Sequence, residues 1–70
     1  MMRGIIFEVR EEPEGGYSAE AVGESIFTDG ETWSELRANV QDATKLNFEG
    51  AEAPETIRLL LRREETLAVA

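Results

Sequence analysis

"SIFTDGETWSELRANVQDA", residues 25–43, is where the hydrophobic period of the chain changes, and the fold turns on that change. Its first four residues read as a short strand, and Asp29 suits a turn just before a helix. From Thr32 onward the period is helical. Thr32 stands three residues before Glu35, the spacing of a capping box: the hydroxyl accepts from an early helical N–H and the carboxylate reaches back to the cap. Trp33, Leu36, Val40, Ala43 and Leu46 then recur at helical spacing, with Phe48 near the end. Arg37, Gln41, Asp42 and Lys45 take the opposite face. Gly50 is a natural terminator.

Upstream of the helix the period is two. In "RGIIFEVREE", Ile5, Phe7 and Val9 share one face, and Gly4, Ile6, Glu8 and Arg10 the other. "PEGG" follows as a turn, with Pro13 preset in φ and Gly15 or Gly16 free to take positive φ. In "YSAEAVG", Tyr17, Ala19 and Ala21 alternate with Ser18, Glu20 and Val22 before Gly23 and Glu24 punctuate the chain. Two adjacent hairpins are the economical topology for strands joined this closely.

Downstream, "PETIRLLLRREETLAVA" fits either period. A helix would bring Ile57, Leu60, Leu61 and Glu64 near one side. A strand would alternate Ile57, Leu59 and Leu61 with Arg58, Leu60 and Arg62, then bend at "EET" into a short "LAV" strand. Propensity does not separate the two, but a sheet of three strands under one helix leaves room for another member. As a strand, Leu60 points away from the helix-covered face with Arg58 and Arg62 beside it. That surface is either an oligomer interface or an ordinary edge protected by arginines.

Seventy residues make one small domain, 1–70. Such a chain buries only roughly 60% of its unfolded surface, and with no Cys it has neither disulfide nor thiolate zinc site to reinforce it. A homo-oligomer or a protein partner is therefore expected. Fifteen Asp and Glu against seven Lys and Arg leave a formal net charge of -8. That surface repels phosphate backbones, so this chain alone is not expected to bind nucleic acid, and it steers a basic protein toward itself. The apolar run after Arg3 stops at Val9, too short for a signal peptide or a membrane span, and a cytoplasmic location without membrane attachment is expected.

Catalysis is hard to assemble from these residues. There is no His and no Cys, which removes the usual general base, thiol nucleophile and zinc ligands. "EGGY" lacks the lysine and spacing of a phosphate loop. Carboxylates remain. Glu11, Glu12 and Glu14 cluster before a turn, and Asp29 and Glu31 flank Gly30, but "TDGET" lacks the alternating ligands and closing glutamate of a calcium loop. Neither catalytic residues, cofactor nor metal are expected. Glu11, Glu12, Glu14, Tyr17 and Glu20 are instead candidates for a partner surface. Tyr17 and Trp33 belong to residue types enriched at binding hot spots, although Trp33 at a helix start reads more simply as packing.

Taken in order, "IIFEV", "PEGGYSAEAVG", "SIFTDGETWSELRANVQDA" and "IRLLL" resemble the HicB family of antitoxin domains over nearly the whole chain. The family's "GGY.A" hairpin, "FT.G.T" strand and "EL..N...A" helix fall on Gly15, Gly16, Tyr17, Ala19, Phe27, Thr28, Gly30, Thr32, Glu35, Leu36, Asn39 and Ala43. The resemblance implies an α+β, partial ribonuclease-H-like fold, β-β-β-α-β, with one helix on an antiparallel-rich sheet. It also implies a HicA-like partner, a small basic ribonuclease toxin blocked by occlusion. Two family features differ: these 70 residues leave no room for the DNA-binding module many members carry, so none is expected here, and the "PDLPGC"-like segment is shortened to "AVGES". The ribonuclease-H likeness raises a metal-dependent nuclease as a weaker alternative, for which Glu8 and Glu20 lie on strands but lack an evident third acid.

Overall fold

The structure, a computed structural model, describes residues 3–50 and 53–70. Four strands and one helix occur in the order β1 (Gly4–Glu11), β2 (Tyr17–Ala21), β3 (Phe27–Gly30), α1 (Trp33–Asn47) and β4 (Thr56–Arg62). The sheet order is β3-β2-β1-β4, antiparallel except for β4, which runs parallel to β1. This is the expected α+β, β-β-β-α-β arrangement. The helix carries the chain from one edge of the sheet to the other, which is what a parallel neighbour for β1 requires.

The period-two pattern of β1 places Ile5, Phe7 and Val9 in the core at 5%, 0% and 0% exposure. Ala19 and Ala21 oppose Val9 and Phe7 across the first hairpin and are also buried. Leu36 and Val40 close the core from the helix, and Ile26 closes it from the approach to β3. Small residues on β2 let the helix lie close to the sheet, since packing at this density leaves little room for larger ones.

The first hairpin turns as the glycines predict. Gly15 and Gly16 have φ of 101° and 85°, the region open chiefly to glycine. The Gly15 N–H donates to the Glu12 carbonyl at 3.0 Å, and the Glu12 N–H to the Gly16 carbonyl at 2.9 Å. The third strand begins later than "SIFT": Ser25 and Ile26 precede it, and the Ile26 carbonyl accepts the Ala21 N–H at 2.9 Å.

At the helix start, Thr32 Oγ1 accepts the Glu35 N–H at 3.1 Å, while Glu35 Oε1 accepts the Glu31 N–H at 3.1 Å. The carboxylate thus reaches one residue past the cap. The helix ends at Asn47 with Phe48, not Gly50, as its C-cap, the Phe48 N–H donating to the Thr44 carbonyl at 3.1 Å. Leu46 does not join the core and is 74% exposed. The buried stripe follows Leu36, Val40 and Thr44, and at 3.6 residues per turn Leu46 lies about 120° round the helix from Val40, the middle of that stripe. Thr44 tolerates burial because its hydroxyl donates to the Val40 carbonyl at 2.8 Å.

The C-terminal segment is resolved in favour of a strand, but only to Arg62. Ile5 pairs with Ile57, Phe7 with Leu59 and Val9 with Leu61, while Leu60 pairs with Glu8 on the uncovered face. The expected "LAV" strand does not form: residues 63–70 lie outside any element and are all exposed. β1 ends at Glu11, one residue past the Arg10–Arg62 pair, and among the described residues no strand lies beside residues 63–70 to receive their backbone hydrogen bonds.

Candidate protein-binding site

The β2–β3 pairing brings the turn of the first hairpin to the helix. Register across β2 and β3 sets Tyr17 opposite Gly30, and Gly30 is buried against the helix start. Tyr17 therefore stands beside Trp33, the first helical residue. Their ring centroids are 5.3 Å apart at an interplanar angle of 71°, the edge-to-face arrangement aromatic pairs favour. Tyr17 is half-buried, and Trp33 keeps 36% of its surface exposed. The packing expected of Trp33 is present in this contact, and an aromatic face remains open.

Acids ring that pair. Glu11, Glu12 and Glu31 line an open groove with Tyr17, Trp33 and Arg10. Glu14 is exposed in the adjoining turn. Glu12 is held in place, its Oε1 accepting from Ser18 Oγ at 3.0 Å. Glu11 Oε1 accepts from Arg63 Nε at 3.3 Å, an exposed ion pair of small energetic worth. On the far side, Arg10 pairs in register with Arg62. The rim is thus acidic toward the turn and helix and basic toward β4.

The residues expected to meet a partner separate accordingly. Glu11, Glu12 and Tyr17 line one groove at one end of the sheet, and Glu14 is exposed in the turn beside it. Glu20 does not join them: it faces the uncovered side of the sheet, paired with Glu8 on β1 and Phe27 on β3. Its distance from the cluster follows from strand parity, because residues of opposite parity on β2 point to opposite faces. Arg58, Leu60 and Arg62, the expected oligomer surface, do share the uncovered face at the β4 edge, where Leu60 is 45% exposed.

Glu31 and Trp33 were harder to place from sequence. Neither is near the acidic turn along the chain; only the Tyr17–Gly30 pairing brings the helix start to it. Among the described residues, no three His, Cys, Asp or Glu gather in a way that would hold a metal ion, and Asp29 instead uses its carbonyl to accept from Asn39 Nδ2 at 2.7 Å.

Two curated proteins share this sequence over most of their length. A UPF0150 protein of Thermotoga maritima is 37% identical over 65 residues, covering 93% of this chain and 91% of the relative. The chain belongs to the UPF0150 family. A UPF0150 protein of Archaeoglobus fulgidus is 47% identical over 51 residues, covering 73% of this chain and 76% of its own. No family model and no solved structure gives a match. Among the described residues of this UPF0150 protein, no helix is long and apolar enough to cross a membrane.

Proposed function

We propose that this UPF0150 protein is a non-enzymatic, single-domain protein-binding module of the HicB antitoxin type. It acts in the cytoplasm by covering a small basic, HicA-like ribonuclease toxin. The observation that carries the reading is the Tyr17–Trp33 pair, half-open and rimmed by Glu11, Glu12 and Glu31, with Glu14 exposed in the adjoining turn. An aromatic centre with a charged rim is the composition of a protein-binding hot spot. Its acids draw in a basic surface, and its rings offer their faces to arginine or lysine. Occlusion needs no chemistry from this chain, only a bound surface that RNA would otherwise reach.

The deciding experiment is co-expression with a HicA-like protein, followed by purification through one partner and an RNA cleavage assay. Support is a stable complex in which cleavage is suppressed. A mixture that still cleaves RNA, or a partner that does not copurify, removes the reading. Labelled RNA incubated with the chain and magnesium tests the nuclease alternative, which intact RNA eliminates.

A second reading is a homo-oligomer without a toxin, favoured by the apolar Leu60 exposed between Arg58 and Arg62 at the sheet edge.

A further inference from the structure

The outer edge of β4 has no neighbour among the described residues, because β4 is terminal in the sheet. Unpaired backbone along an edge is a template for another strand. Leu60 and Leu61 are 45% and 49% exposed on that strand. Residues 63–70 follow without entering any element, and within them Leu67 and Val69 are 75% and 103% exposed. The molecule measures 55 × 24 × 19 Å, far longer than a compact chain of this size. An open strand edge and a segment outside the sheet, apolar at Leu67 and Val69, thus follow each other directly.

We propose that each of these takes the other from a second copy: residues 65–69 of one chain pair antiparallel with residues 59–63 of its partner, and reciprocally. The inference deepens the homo-oligomer reading and is independent of the toxin. A symmetric antiparallel ladder must be centred so that paired residues share a face, which requires partners of equal parity. Centring it on Glu64 sets Arg63 opposite Glu65, Leu61 opposite Leu67 and Leu59 opposite Val69. Every pair on the core-side face is then matched, charge with opposite charge and apolar with apolar. Glu64 meets its own copy at the axis, with Arg62 of both chains on the diagonals.

Charge also selects the occupant. Residues 56–63 carry Arg58, Arg62 and Arg63 and no acid, in a chain of fifteen acids and seven bases. A basic partner is repelled from this edge, whereas a second copy brings Glu64 and Glu65 to it. The resulting interface is isologous and joins the two sheets into one, covering the β4 edge of each.

The absence of cysteine makes the register directly testable. Leu61→Cys/Leu67→Cys should form a covalent dimer on mild oxidation. Six residues of extended chain separate these positions by about 20 Å, too far to bridge within one copy. The shifted pair Leu61→Cys/Val69→Cys serves as control, and equal cross-linking in the two would overturn the register. Light scattering gives the second arm. Arg63→Glu and Glu65→Arg should each weaken the dimer about tenfold, and the double exchange should restore it. A wild-type chain that stays monomeric refutes both the homo-oligomer and this pairing. A dimer unaffected by Leu67→Asp/Val69→Asp, at positions too exposed to matter for folding, refutes the pairing alone.

Discussion

A Cβ built on Gly30 would stand 2.5 Å from the Leu36 nitrogen and 2.8 Å from its Cα. The last residue of β3 and the first fully buried residue of the helix are therefore in backbone contact. This contact sets the height of the helix above the sheet and keeps Trp33 beside Tyr17. Both neighbours are backbone atoms, so neither can rotate away.

Gly30→Ala accordingly should destabilise the fold by about 1–3 kcal/mol through overpacking. At Gly15, where nothing lies within 4 Å and φ is 101°, alanine should cost only the conformational penalty of about 1–2 kcal/mol. Urea denaturation compares the two. An alanine at Gly30 that leaves the midpoint unchanged would mean the helix can lift without loss.

Leu36 and Leu46 look alike in the helical pattern but differ in exposure, 0% against 74%. Leu36→Ala should cost about 2–5 kcal/mol, a large part of what a chain this small can hold. Leu46→Ala should remain within about 0.5 kcal/mol of wild type. Thermal unfolding followed by circular dichroism would separate them, and equal losses would place Leu46 in a contact that this packing does not contain.

The helix cap makes a smaller prediction with a sharper signature. Thr32→Ala should cost about 1 kcal/mol. Glu35 donates its backbone N–H to Thr32 and accepts through its carboxylate from Glu31. Combining Thr32→Ala with Glu35→Ala should therefore cost less than the sum of the singles, because both bonds order the same turn. Strict additivity in a double-mutant cycle would show the two bonds to be independent.

For the proposed toxin complex, charge reversal at Glu11, Glu12 and Glu14 together should weaken binding most at low salt, with the difference shrinking as ionic strength rises. Trp33→Ala should weaken it by 2 kcal/mol or more, as about expected of a hot-spot aromatic. Glu20→Lys, on the other face, should leave affinity nearly unchanged. Calorimetry at two salt concentrations reads all three. A larger effect at Glu20 than at Trp33 would move the binding surface to the uncovered side of the sheet.

How much of this was legible in the residues depends on the range over which each is constrained. The alternation of Ile5, Phe7 and Val9, the glycine turn before Tyr17 and the Thr32–Glu35 cap are local, since stereochemistry and neighbouring hydrogen bonds determine them within a few positions. They sufficed for the element order and for most of the core. Thr44 was missed because a polar residue interrupts the apolar pattern, and its burial depends on a bond to Val40 that only the formed helix offers. Leu46 recurs at helical spacing yet stays exposed, because the stripe that meets the sheet runs through Leu36, Val40 and Thr44 and leaves it to one side.

The C-terminal segment lay beyond local reasoning altogether. "TIRLLLR" suits helix or strand equally, and the choice falls to β1, whose free edge receives it in parallel register. Beyond Arg62 the edge of β1 runs out at Glu11, and residues 63–70 lie outside the sheet. The candidate site has the same origin. Its acids and aromatics are visible one by one in the sequence, and so is the acidity that would draw a basic partner. Their assembly belongs to the tertiary structure, because Tyr17 meets Trp33 only through the β2–β3 pairing, and strand parity sends Glu20 to the opposite face.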